Sequence, residues 1–225
     1  DNLVFSHNRL SILDLTETGS QPMVSNSGNL LMIYNGEIYN HLILRQELRD
    51  ENNFNNWRGT SDSETLIQAI DIWGIEKTLK KINGMFSFSI WNRQSKSLYL
   101  ARDRFGEKPL YYSWIPQNAS FVFGSDLIFD KLFKNIKFEL NDEALNDLLH
   151  LNYINNNYSI FKNVYKLDPG CYSEIHFKKN QLPKINIKKY WKLENINYKK
   201  NNLNHLESIN QLDIKLSSVV KDQIF

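Results

Sequence analysis

Two hydrophobic periods alternate along the chain, and each change of period predicts an element. Residues 29–34 (NLLMIY) form a dense apolar run of strand length, and the Asn35-Gly36 pair that follows predicts a tight turn. Over residues 40–49 the period becomes helical, with Asn40 placed to cap and Leu42, Leu44 and Leu48 falling largely on one side. Ser61-Asp62-Ser63-Glu64 has the form of a capping box, in which Ser61 and Glu64 satisfy each other's orphan amides. Leu66, Ile67, Ile70 and Trp73 continue it at helical spacing, and Gly74 supplies the stop. Residues 85–91 (MFSFSIW) alternate strictly, with Phe86, Phe88 and Ile90 on one face and Ser87 and Ser89 on the other. A polar loop at 92–97 leads into 98–101, and 111–114 and 121–123 continue the strands, which predicts one aromatic-rich sheet in the middle of the chain. Residues 127–133 and 142–151 read as helices, the second capped by Asn141, and 171–177, a polar turn at 178–181 and 185–191 read as a terminal hairpin.

Beyond Trp191 the composition shifts to Asn and Lys, which is how linkers look, before helical periodicity returns through Ile209, Leu212, Leu216, Val219 and Val220. A boundary near residue 195 follows, with a second domain only begun. Composition then narrows the class. With 225 residues and 41% hydrophobic positions the chain can bury a real core, and 27 Lys and Arg against 25 Asp and Glu leave no basic excess of the kind that phosphate neutralisation needs. A nucleic-acid partner is therefore not expected. No apolar stretch approaches the roughly 18–20 residues of a membrane-spanning helix, so no membrane partner is expected either. The lone Cys171 excludes a disulfide within the chain, and with no signal peptide at the start the expected location is the cytoplasm. Asn118-Ala119-Ser120 and Asn157-Tyr158-Ser159 match the glycosylation pattern by chance in an Asn-rich chain. The start at Asp1 and the end at Phe225 within an apolar run suggest a chain cut at both ends.

Four clusters are richer in polar residues and glycine than packing requires: 7–14 (HNRLSILD), 35–40 (NGEIYN), 61–64 (SDSE) and 101–112 (ARDRFGEKPLYY). Each has a plain structural reading. Arg9 can be a surface arginine, Asn35-Gly36 only a hairpin turn, Asp62 a first-turn carboxylate that suits the helix dipole, and Arg102 to Lys108 a solvated charge run. Taken singly they lead no further than a soluble domain of α/β or α+β class with a polar site.

Taken together and in order, they resemble the glutamine amidotransferase domain of asparagine synthetases, of the class II or N-terminal-nucleophile type. The resemblance spans about residues 5–191. It rests on Arg9-Leu10-Ser11-Ile12 with Asp14, Gln21-Pro22-Met23, Asn35-Gly36-Glu37-Ile38-Tyr39-Asn40, and Ser61-Asp62 before Glu64. Asn83-Gly84-Met85-Phe86, Arg102-Asp103-Arg104 with Gly106, Lys108-Pro109-Leu110-Tyr111-Tyr112, Pro169-Gly170 and Tyr190-Trp191 complete it. It implies an α+β fold, a four-layer αββα sandwich incomplete at its N-terminus. It also implies an amidotransferase domain over 1–193, a linker over 194–205, and over 206–225 the start of a synthetase domain of ATP pyrophosphatase type.

In that family a cysteine at the mature N-terminus attacks the glutamine amide, with its own α-amino group as base; an amine with a pKa of about 8 is partly neutral at physiological pH. The resemblance assigns Asn35 and Gly36 to the oxyanion hole and Arg9 to the substrate α-carboxylate. It assigns Glu37 and Asp62 to the α-ammonium, and Ile12 and Leu13 to backbone contacts with the same ligand. Glycine would suit position 36 because its amide must approach substrate without a Cβ in the way. The nucleophile should precede Arg9 by some tens of residues, so this chain by itself is expected to be inactive, and Cys171 is expected to be structural. A sheet edge left open by the missing first strand would favour association into a homodimer. No cofactor is expected on the chain itself; ATP, Mg2+ and aspartate are implied for the missing synthetase domain, and glutamine for this one. Relatives of this type also amidate other acceptors in polysaccharide or secondary-metabolite pathways, and some are catalytically inactive scaffolds.

Overall fold

The structure, a computed structural model, describes residues 3–10, 14–133, 135–155, 157–178, 181–195 and 203–223. Its strands are β1 (Met23–Val24), β2 (Leu30–Ile38), β3 (Gly84–Asn92), β4 (Ser97–Arg102), β5 (Tyr111–Ile115), β6 (Ser120–Gly124), β7 (Val164–Lys166), β8 (Cys171–His176) and β9 (Lys184–Lys189). Its helices are α1 (His41–Asn52), α2 (Asp62–Trp73), α3 (Ile75–Lys81), α4 (Phe129–Leu132), α5 (Asp142–Leu151) and α6 (His205–Gln223). The strands divide into an antiparallel six-stranded sheet, β1-β2-β3-β4-β8-β9, and a three-stranded one, β6-β5-β7. The single sheet expected in the middle of the chain is thus two sheets, because the segment after Arg102 turns away and pairs with later strands.

Alternation decides which face of each strand is buried against what. Leu30, Met32, Tyr34 and Ile38 of β2 and Phe86, Phe88 and Ile90 of β3 pack against Leu44 of α1, Leu66, Ile67 and Ile70 of α2, and Leu79 of α3. Each such side chain, fully buried, contributes about 1.5–3 kcal/mol relative to exposure. On the other face, Leu98, Leu100, Cys171 and Ile175 form a second core with Leu110, Tyr112 and Leu167, against which Phe5, Phe121 and Phe123 pack. The order is therefore helices, large sheet, small sheet. Helices α4 and α5 follow β6 in the chain; Phe129 of α4 is buried, and the Asn141 N–H ahead of α5 donates to the Ile160 carbonyl at 2.8 Å.

The tight turn expected at Asn35-Gly36 does not form. Strand β2 runs straight through both residues, with Asn35 paired to Ser87 and Gly36 to Phe86. A Cβ on Gly36 would stand 2.2 Å from the Met85 carbonyl oxygen, so glycine here lets β3 lie close. That tertiary contact overrides a local turn preference.

The other boundaries follow the sequence more closely. Asn141 caps α5 by accepting from the Glu143 and Ala144 amides, and Gly74 ends α2. Asn40 precedes α1 without a side-chain cap; its carboxamide instead donates to the Lys81 carbonyl and accepts from the Asn83 amide. The helix expected over 127–133 is the single turn of α4, and the terminal hairpin forms by pairing Cys171 with Lys189 through His176 with Lys184. Of the linker, 196–202 lie outside the described residues.

Candidate active site

The outer edge of β2 carries the site. Along a strand the backbone groups of alternate residues point to the same side. The carboxamide of Gln21 takes the place of a neighbouring strand at Tyr34, accepting from its N–H at 2.6 Å and donating to its carbonyl at 3.1 Å. Four residues on, the Ile38 N–H donates to Asp62 Oδ2 at 3.0 Å. By this alternation the Gly36 N–H faces the same edge between these two bonds, and among the described residues no side chain accepts from it. Side chains alternate as well, so Asn35 and Glu37 share the face opposite the helical core, and the Asn35 carboxamide has no hydrogen-bond partner among the described residues.

Asp62 is set by the start of α2. The Ser61 hydroxyl accepts from the Glu64 N–H at 3.2 Å, which is one half of the expected capping box. The other half is not made. The fully buried Glu64 carboxylate accepts instead from the amides of Arg58 at 2.7 Å and Gly59 at 2.9 Å, and pairs with Arg45 at 3.4 Å. Arg45 also donates to the Gly59 and Ser61 carbonyls, both at 2.9 Å, and to the Thr65 hydroxyl at 2.7 Å. The 58–62 turn is thereby held from both its amide and its carbonyl sides. From it, the Asp62 carboxylate reaches β2, accepting from Ile38 and, at 2.6 Å, from the Tyr34 hydroxyl. Burial, and then the Asp62 charge, push the Tyr34 hydroxyl well above the usual phenol range, so it stays a donor. Glu37 is raised too, first by burial and then by Asp62, against the opposing field of Lys108. The Asp62 charge is thus felt at Glu37, and both carboxylates lie at the same stretch of β2 as the Gly36 amide.

Arg9 lies on the neighbouring segment. Its guanidinium donates to the carbonyls of Asp14 at 2.5 Å and Thr16 at 3.4 Å and lies against Gly19, where a Cβ would come within 2.3 Å of Nη2. Ile12 and Leu13 lie outside the described residues. The structure therefore brings Asn35, Gly36, Glu37 and Asp62 together and ties the Arg9 segment to them. Gln21, Tyr34, Arg45 and the Glu64 carboxylate shape the site without having stood out as site residues in the sequence. The bonds joining Gln21 to Tyr34, Tyr34 to Asp62 and Arg45 to Glu64 span 13 to 28 residues, and no local pattern carries such contacts.

The 101–112 cluster supports the fold. Buried Asp103 accepts from the amides of Phe86, Phe105, Glu107 and Lys108, and Arg102 donates to the carbonyls of Gly106, Lys108 and Leu167. Burial, and then Asp168, push the Cys171 thiol up, against an opposing contribution from Lys189. A buried thiol of that kind is a poor nucleophile.

The glutamine amidotransferase domain family matches residues 1–191. The chain is 34% identical over 209 residues to the putative asparagine synthetase [glutamine-hydrolyzing] 2 of Methanocaldococcus jannaschii, covering 86% of this chain and 38% of that protein. It is 33% identical over 196 residues to asparagine synthetase [glutamine-hydrolyzing] 3 of Bacillus subtilis, covering 86% of this chain and 30% of that one. The chain thus spans less than two-fifths of the length of these curated relatives. Glutamine phosphoribosylpyrophosphate amidotransferase of B. subtilis shares the fold, with a TM-score of 0.50 at 17% identity over 76% of this chain and 32% of the other. By the match over residues 1–191, the chain belongs to the glutamine amidotransferase domain family, and its two facing antiparallel sheets are the N-terminal-nucleophile amidotransferase fold.

Proposed function

We propose that this domain releases ammonia from the side-chain amide of glutamine within a glutamine-dependent asparagine synthetase. The observation that carries the reading is the outer edge of β2, where Gly36 stands between Asn35 and Glu37, and Asp62 binds the Ile38 amide two residues on. In this reading the Gly36 N–H and the Asn35 side chain donate to the oxyanion of the tetrahedral intermediate. Glu37 and Asp62 face the α-ammonium, and Arg9 pairs with the α-carboxylate. In this reading the nucleophile is a cysteine other than Cys171, which is buried and whose thiol burial pushes up.

The ammonia then serves ATP-dependent amidation of aspartate elsewhere in the protein. In this reading Mg2+ accompanies ATP on another part of the protein. The test uses the complete protein and follows glutamate released from glutamine. Asn35→Ala is expected to lower kcat about 10²- to 10³-fold, as loss of an oxyanion donor does elsewhere. Arg9→Lys is expected to raise the glutamine KM with a smaller effect on kcat, because an ammonium cannot reproduce a bidentate pair. Unchanged glutamine kinetics in both variants would defeat the assignment, and amidation of a carboxylate other than aspartate would move the acceptor while leaving the glutaminase role intact.

A further inference from the structure

We infer that Asp14 is a positioning residue that fastens the Arg9 segment to the Asp62 turn and so sets the separation between the groups that hold the two charged ends of glutamine. The inference rests on the glutamine reading above. Arg9 and Asp62 lie on segments about fifty residues apart, and Asp14 is the described link between them. Its backbone and its carboxylate do different work. The Asp14 carbonyl receives the Arg9 guanidinium at 2.5 Å, so Arg9 moves with this loop. The carboxylate's Oδ1 accepts from the Thr16 N–H at 3.2 Å and the Thr16 hydroxyl at 2.5 Å, closing the loop on itself. Oδ2 accepts from the Thr18 hydroxyl at 2.9 Å and from the Thr60 N–H at 2.8 Å, the latter 46 residues away. Thr60 stands two residues before Asp62, in the turn that Glu64 and Arg45 already hold.

The fit is close on the receiving side as well. A Cβ on Gly59 would lie 2.2 Å from Asp14 Oδ2 and 2.4 Å from the Thr18 hydroxyl. Glycine at 59 is what allows the carboxylate to reach the turn. Both oxygens are engaged by donors, so asparagine, with one acceptor oxygen and an NH2 in place of the other, cannot satisfy both sets. The residue touches no reacting atom in this reading. Its loss should therefore appear in substrate binding and not in the chemical step.

The complete protein provides the test, with glutamine hydrolysis as one readout and amide hydrogen exchange at Thr60, without ligand, as another. Asp14→Asn is expected to raise the glutamine KM about tenfold while kcat stays within about threefold, and to remove the protection of the Thr60 N–H. Gly59→Ala, which blocks the same contact from the other side, is expected to raise KM comparably. The double variant should be no worse than the worse single one, since both break one contact. Glutamine hydrolysis by the wild type with an unchanged KM in Asp14→Asn overturns the inference, as does a fall in kcat at constant KM or full additivity with Gly59→Ala. Absence of glutamine hydrolysis in the wild type overturns the functional reading itself, and the inference with it.

Discussion

Glu37 shows how one residue's surroundings shape a rate profile. Burial, with Asp62 next to it, raises its carboxyl above the ordinary glutamate range, and Lys108 only partly offsets this. A raised carboxylate pKa means that protonation begins at a higher pH than the roughly 4.3 of an unperturbed glutamate. If ionised Glu37 meets the substrate ammonium, kcat/KM for glutamine falls on acidification from that higher pH downward. Glu37→Gln is expected to lower kcat/KM and abolish this acid limb, measured as a pH profile of glutamine hydrolysis. A limb unchanged in the variant would assign it to another group. At this scale the sequence singled out Gly36 for an approach of substrate, and the structure adds a packing demand of its own: a Cβ there would meet Met85 and Phe86.

The start of α2 separates local from tertiary demands. The Ser61 cap satisfies one orphan amide within three residues, and Ser61→Ala is expected to cost about 1 kcal/mol. Glu64 is different in kind, being buried and shared among Arg45, Arg58 and the Arg58 and Gly59 amides. Glu64→Ala leaves Arg45 half-buried beside a vacated acceptor, with an expected loss of about 3–5 kcal/mol, well beyond the cap's. Urea unfolding of the two variants checks the order, and equal losses would contradict it. The sequence motif located this helix start to the residue. It assigned Glu64 the wrong partner, because the capping-box pattern contains no information about the 58–59 backbone that the fold brings to it.

Over the whole molecule, two cores lie on the two faces of the large sheet, and no residue of α6 belongs to either. Leu206, Ile209, Leu212, Ile214 and Leu216 stay exposed on this chain, so α6 contributes little to its stability. Removing residues 205–225 is expected to shift Tm by less than about 2 °C, checked by thermal unfolding of the two lengths. By itself the sequence determined what depends on neighbours within a few positions: the alternation of β3, the cap and stop of α2, the cap of α5, and the ordered clusters that marked the family. The tertiary structure decided the rest. It carried β2 through an expected turn, split one expected sheet into two, and joined Gln21 to Tyr34, Asp62 to Ile38 and Asp14 to Thr60. Periodicity and capping report on contacts one turn or one pleat away, whereas an acceptor for a buried amide is selected by which distant segment the packing of the cores brings within 3 Å.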